Sequence, residues 1–235
     1  MLKTQRADGV QTLLLDRPEL GNALGPALVE ALIDAVDAAC GDAELHTLVL
    51  RSTGRHFCTG LDLVELPQLS DGDLLLRLVR IETLLARLWH APLRTVALAR
   101  GRTWGAGADL FAACDLRVAA PDTLLRFPGA QFGVVLGTRR LAERIGADAA
   151  RRLVIEGGEL SAPQALAAGL ASSVGEDAEM TPPQVDRATA AAIRAATRPD
   201  LRDADLAALV RSASRPGLQG RIQAYRDRLR AARPG

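Results

Sequence analysis

Four short apolar runs alternate with stretches of helical periodicity through the first half of the chain, and this alternation is what most narrows its fold. Val10–Leu15 ends at Asp16-Arg17-Pro18 and Thr47–Arg51 at Ser52-Thr53-Gly54, so both read as strands closed by turns. Thr95–Ala99 and Leu116–Ala120 are two more runs of the same kind. Between the first two, Leu28, Leu32, Val36 and Ala39 recur at helical spacing within Pro26–Cys40. Between the second and third, Leu74, Leu78, Ile81, Leu85 and Leu88 form one stripe from Asp73 to Trp89, which Pro92 stops. A short helix is predicted from Ala106 to Cys114. Strands alternating with helices predict an α/β fold around a largely buried sheet.

The second half reads as helical. Asp148–Gly157 and Ser161–Gly169 are predicted helices, the latter with a capping pattern at Ser161-x-x-Gln164 and a glycine stop at Gly169. Pro182-Pro183 marks a boundary between a core, residues 1–180, and a helical region, residues 181–235. In that region Gln184–Thr197, Asp203–Ala213 and Leu218–Ala232 are rich in alanine and arginine. Such a tail has little core of its own and is expected to pack on its own domain or on another subunit.

Charge and motifs exclude several function classes. With 29 basic against 28 acidic residues there is no global field to attract nucleic acid or an anionic membrane. The start lacks an apolar signal core, and no apolar run approaches the roughly 18–20 residues that cross a bilayer, so a cytoplasmic protein is expected. Cys40, Cys58 and Cys114 lie far apart and read as free thiols, Cys58 as a small buried packing residue. His46, His56 and His90 are too scattered for a ligand pattern, so no metal is expected. There is no Gly-Lys-Ser/Thr and no G-x-S-x-G.

What remains are two glycine-bearing segments, Arg55-His-Phe-Cys-Thr-Gly-Leu-Asp-Leu63 and Arg100-Gly-Arg-Thr-Trp-Gly-Ala-Gly-Ala-Asp-Leu110. A strand that turns at glycine into a helix leaves unpaired N–H groups at the helix start, where the macrodipole favours negative charge. A second N–H following Gly60, converging from a neighbouring strand, would complete an oxyanion hole for a thioester enolate. The same glycines also suit tight turns and close packing. Gly105-x-Gly107 opens like a dinucleotide fingerprint but meets Leu110 where the third glycine belongs.

The order and spacing of these segments resemble the crotonase superfamily, the enoyl-CoA hydratase/isomerase family. The matching stretches are Leu15-Asp-Arg-Pro-Glu-Leu-Gly-Asn-Ala-Leu24, Phe57–Leu63, Gly101–Asp115 and Leu160–Leu170, so the resemblance runs from about residue 10 to 175. It implies a spiral of β-β-α units with a helical C-terminal trimerisation region, hence a homotrimer or a hexamer made of two trimers. It also implies an acyl-CoA substrate, with coenzyme A entering as part of the thioester and no separate cofactor, and a place in fatty acid metabolism. The two oxyanion N–H groups fall on Leu61 and Ala106. Gly60, Asp62 and Leu63 would line the acyl-CoA channel, and Trp104 and Gly105 would wall the pocket. The Arg17–Leu24 region would lie near the nucleotide end.

The carboxylates depart from the family pattern. Asp109 stands where the hydratases have their first catalytic glutamate, one methylene shorter. The second glutamate position falls on Gly129, within Leu125-Arg-Phe-Pro-Gly-Ala-Gln-Phe-Gly133, and is also assigned to the substrate site. Arg126 and Gln131 flank it as candidates for a replacement polar group. The leading expectation is an enoyl-CoA hydratase/isomerase-type lyase or isomerase with Asp109 as its single acid/base. The alternatives are a non-catalytic accessory homologue supporting a partner enzyme, or a thioester hydrolase or decarboxylase on the same fold.

Overall fold

The computed structural model describes residues 1–231; the helix end predicted at Ala232, and Arg233 of the tail, lie outside the described residues. The first half contains β1 (Leu2–Ala7), β2 (Val10–Leu15), α1 (Pro26–Gly41), β3 (Thr47–Ser52), α2 (Asp71–Trp89), β4 (Arg94–Ala99), β5 (Arg102–Trp104), α3 (Ala106–Ala113) and β6 (Leu116–Ala119). There follow β7 (Leu124–Arg126), α4 (Thr138–Ile145), α5 (Ala147–Glu156), β8 (Glu159–Ser161), α6 (Ala162–Ala167), β9 (Ser173–Val174), α7 (Arg187–Thr197), α8 (Arg202–Ala213) and α9 (Leu218–Ala231). Short 3-10 turns lie at Pro18–Leu20, Leu66–Gln68 and Pro128–Phe132.

The strands form two sheets. The larger has the order β1-β2-β3-β4-β6-β9, parallel except for the β1–β2 hairpin, and the smaller has the order β5-β7-β8. Successive β-β-α passages place their first strand in the large sheet and their second in the small one, as β4-β5-α3 and β6-β7-α4 do. The predicted α/β spiral is thus realised. β3 and β4 are buried almost throughout, as parallel strands covered on both faces must be. One face packs on α1, α2 and α3 through residues such as Leu28, Leu32, Ile81, Leu85 and Phe111. On the other face Val49, Val96, Leu98 and Val118 meet Ala178 and Met180.

Several elements differ from the sequence expectation, among them the short strands β7, β8 and β9, which it did not contain. β1 is polar and exposed along most of its length, so no apolar run announces it. α4 was not predicted because one of its two buried positions is an arginine, Arg140 beside Leu141, which breaks the apolar periodicity. The strand feeding α3 is β5 rather than the Thr95–Ala99 run, since Gly101 turns the chain out of the large sheet first. The tail packs on its own chain: Leu209, Ala213, Leu218 and Ile222 share a cluster with Leu66, Leu74, Leu78 and Val134.

Candidate active site

β5 brings the second glycine segment to the site. Its Trp104 N–H donates to the Cys58 carbonyl at 3.0 Å, so the Cys58–Leu61 stretch runs beside it. The chain then leaves the strand at Gly105, whose N–H donates to the Arg126 carbonyl at 2.8 Å. Gly105 adopts φ 54°, ψ −129°, a conformation open essentially to glycine, and α3 begins at the next residue. The Ala106 N–H is therefore a first-turn donor without a helical partner.

The first segment is fixed from its other side. Leu24 donates to the Gly60 carbonyl at 2.8 Å and accepts from the Asp62 N–H at 3.1 Å. In a parallel bridge this pattern directs the intervening Leu61 N–H away from Leu24. Gly60, at φ +92°, lies so close to the turn that a Cβ there would sit 2.8 Å from the Trp104 carbonyl oxygen and 3.3 Å from the Ala106 nitrogen. Neither the Leu61 nor the Ala106 N–H has a backbone acceptor among the described residues. Gly107 serves packing, because a side chain there would overlap the Cys58 carbonyl.

Asp109 follows one turn along α3, its N–H donating to the Gly105 carbonyl at 3.0 Å. Its side chain is 4 % exposed, and Oδ1 is buried without a hydrogen-bond partner. The carboxylate lies against the bare backbone of Gly137, where any side chain would overlap it. Burial holds its carboxyl well above the usual carboxylate range; Arg140 pulls it down and Glu82 pushes it up. Arg140 itself is spoken for by Glu82, with Nη2–Oε1 at 2.5 Å and Nη1–Oε2 at 3.0 Å, and both side chains are buried. Asp109 is thus a lone acid facing a low-dielectric space.

That space is a cavity of about 200 Å³. It collects Gly60, Leu61, Leu63, Trp104, Gly105, Ala106, Asp109 and Gly129 from the predicted site. Asp62 lies outside this cavity, in a neighbouring surface pocket with Arg17 and Leu20, where Oδ2 accepts from Arg17 at 3.1 Å and Oδ1 accepts from the Val64 N–H at 3.0 Å. Its short carboxylate fixes the turn after the glycine segment. Gly129 sits in the Pro128–Phe132 turn, where a Cβ would approach the Val134 carbonyl to 3.1 Å. Arg126 and Gln131 do not replace the missing glutamate. Arg126 stays by the Trp104 ring, 5.9 Å from its centroid, and Gln131 packs against Gly157.

Other sequence candidates resolve into structure. The Cys58 thiol is pushed up to about 12 by full burial, which makes it inert packing. The His56 Nδ1 accepts from the Arg102 N–H at 3.1 Å and holds the two glycine segments together outside the cavity. Asp115 is structural, accepting from the Thr95 N–H and from Arg194 and Arg198 of the tail. Sequence reasoning missed the wall formed by α9, which contributes Ile222, Tyr225, Arg226 and Leu229. Leu218, Ile222, Tyr225 and Leu229 repeat at helical spacing, so the signal was present. Two arginines of α9 grip main-chain carbonyls: Arg221 that of Phe132 at 2.9 Å and Arg226 that of Leu63 at 3.1 Å.

Comparison with known proteins identifies the family and the fold. The family model for enoyl-CoA hydratase/isomerase matches residues 5–224. The chain is 35 % identical over 207 residues to the Mycobacterium leprae protein named probable enoyl-CoA hydratase echA6, covering 84 % of this chain and 81 % of that one. It is 33 % identical over 178 residues to the Mycosarcoma maydis enoyl-CoA isomerase/hydratase fer4, covering 71 % and 65 %. The crystal structure of a Bordetella parapertussis enoyl-CoA hydratase/isomerase homologue superposes with a TM-score of 0.90 at 41 % identity, over 99 % of each chain. The Bacillus halodurans enoyl-CoA hydratase shares the fold with a TM-score of 0.80 at 21 % identity, over 95 % of this chain and 99 % of that one. The chain belongs to the enoyl-CoA hydratase/isomerase family, the crotonase superfamily.

Proposed function

We propose that this protein acts on acyl-CoA thioesters, holding the thioester oxygen on the Leu61 and Ala106 N–H groups and moving protons with Asp109 alone. The observation that carries this reading is the meeting of two unpartnered main-chain donors and one buried carboxylate in a single cavity. Negative charge develops on the thioester oxygen when an enolate forms, and each preorganised donor aimed at it is worth roughly 3–4 kcal/mol. A carboxylate whose proton is held tightly is a stronger base once ionised, which suits removal of an α-proton or activation of water. The cavity's apolar lining excludes bulk water and strengthens both effects.

In hydration, the water oxygen bonds to the β-carbon and the π electrons move to the thioester oxygen. Asp109 takes one water proton and returns it to the α-carbon, so it ends unchanged. In isomerisation the same carboxylate carries a proton from one carbon to another. A second reading, binding of acyl-CoA without turnover in support of a partner enzyme, is favoured by the bare backbone at Gly129. The deciding experiment is exchange of the α-protons of a saturated acyl-CoA in D₂O. Exchange by the wild type that is lost in Asp109→Asn supports the catalytic reading, whereas binding without exchange overturns it. Mass spectrometry of products from an enoyl-CoA panel separates hydration, isomerisation, hydrolysis and decarboxylation. Assembly as a homotrimer or hexamer belongs to the same reading and is checked by sedimentation.

A further inference from the structure

Two buried polar groups of opposite need lie on contacting elements and do not meet. Asp109 Oδ1, on α3, is an acceptor without a hydrogen-bond partner, and Arg140 Nε, on α4, is a donor without one. The Asp109 carboxylate rests on the residue that opens α4: a Cβ on Gly137 would come within 2.6 Å of its Cγ. Arg140 belongs to the first turn of that helix and is 1 % exposed. A guanidinium free to turn there would be the natural counter-ion of a buried carboxylate.

Acids from two other helices hold it off. Glu82 of α2 takes both Nη groups of Arg140, at 2.5 and 3.0 Å, in a fork that leaves Nε outside. Asp205 of α8 adds an oxygen 3.3 Å from Nη2 and is itself fixed by Arg139 at 2.6 and 2.8 Å. Glu82 is buried too, so the ion pair is dry, and its two charges act on Asp109 with opposite sign. α3 carries no other charged residue. From the cavity side α9 presents Tyr225 and Arg226, the latter held on the Leu63 carbonyl.

We propose that Glu82, with Asp205 behind it, is a positioning residue for the catalytic acid: by gripping Arg140 it denies Asp109 a counter-ion and leaves the carboxylate able to take and return a proton. This rests on the reading of Asp109 given above. A carboxylate paired with a guanidinium is stabilised as the anion and becomes a weaker base, whereas one that faces an already neutralised arginine keeps its affinity for a proton. Asp205 comes from the helical tail, so the tail reaches the acid through Arg140 as well as walling the cavity.

The test is the pH dependence of α-proton exchange of butyryl-CoA in D₂O, on full-length wild type, Glu82→Gln, and the double variant Glu82→Gln with Arg140→Gln. Exchange uses Asp109 as the base, so its rate rises with pH through the titration of that group. In Glu82→Gln the released Arg140 pairs with Asp109; the rising limb should move down by about one pH unit or more and the plateau should fall about tenfold. In the double variant no guanidinium remains, and the limb should return to within about half a unit of wild type. The double variant buries no unpaired charge, so it decides the matter should Glu82→Gln fail to fold. A limb raised there by about one unit or more would show Arg140 acting on Asp109 in spite of Glu82, and overturns the proposal. An unmoved limb in Glu82→Gln overturns it as well, whether or not the plateau falls, since a plateau loss alone marks a structural defect. A wild type that exchanges while its limb ignores Glu82 refutes this inference alone; one that exchanges nothing refutes the acyl-CoA reading with it.

Discussion

Gly60→Ala places one carbon between the two glycine segments and asks how closely they must approach. The added Cβ would lie 2.8 Å from the Trp104 carbonyl oxygen, whereas ordinary contact begins near 3.4 Å, so the strands must part by the difference, about 0.6 Å. A misplacement of about 1 Å can lower a rate a hundredfold, so a loss of about tenfold or more in kcat is expected as the Leu61 and Ala106 donors separate. The backbone at φ +92° adds its own strain of about 1–2 kcal/mol for a non-glycine residue. At about 2–4 °C per kcal/mol for a chain of this size, that lowers Tm by about 2–8 °C. Gly146→Ala is the control: it has φ +83° but no atom within 4 Å of the added carbon, so it should lose similar stability and keep full activity. Thermal unfolding and enoyl-CoA kinetics on both variants separate strain from displacement. If Gly60→Ala matches Gly146→Ala in both assays, the close approach has no catalytic meaning.

Asp109→Asn should lower turnover about 10²- to 10⁴-fold. Because the folded carboxyl titrates above its ordinary value of 3.8, its contribution to stability is full below that value and is lost as pH rises through the folded pKa. The Tm advantage of the asparagine variant should therefore grow with pH, and a pH-independent difference in unfolding scans would count against a strained acid. Gly129→Glu supplies the absent carboxylate at the expense of a 3.1 Å approach to Val134; hydration should rise about tenfold with slightly reduced Tm, and an unimproved rate would show that a second carboxylate is not what limits the reaction. Arg140→Met leaves Glu82 charged and buried, so about 3–5 kcal/mol of stability should disappear, a Tm loss of about 6–20 °C. Adding Glu82→Leu should recover most of it, as calorimetry would register.

The main strands and helices were legible because buried parallel strands and amphipathic helices write their periods into sequence. The Ala7-Asp8-Gly9-Val10 hairpin was legible too but went unread: both turn residues have positive φ, as a two-residue turn requires, yet the polar strand before it hid the pairing. α4 escaped for a different reason, since a buried Arg140 satisfied by Glu82 on α2 looks like surface until the partner is placed. At the site, Gly60, Gly105 and Asp109 were found by local pattern. Tyr225 was not, because more than a hundred residues separate it from Asp109 and only folding brings α9 across the cavity.

The two donors at the heart of the site are main-chain atoms, and this gives the site an unusual relation to mutation. No exchange of one side chain for another deletes a peptide N–H, so sequence drift at Leu61 or Ala106 leaves both groups in place. Proline alone removes the hydrogen. Position 106 opens α3, the one helical position where proline fits without breaking the helix. An alanine codon is a single base away from proline. If these two groups hold the thioester oxygen as proposed, one nucleotide change would therefore remove half of the anion cradle at a position where helix geometry accepts proline, while most other changes around it would leave both donors in place.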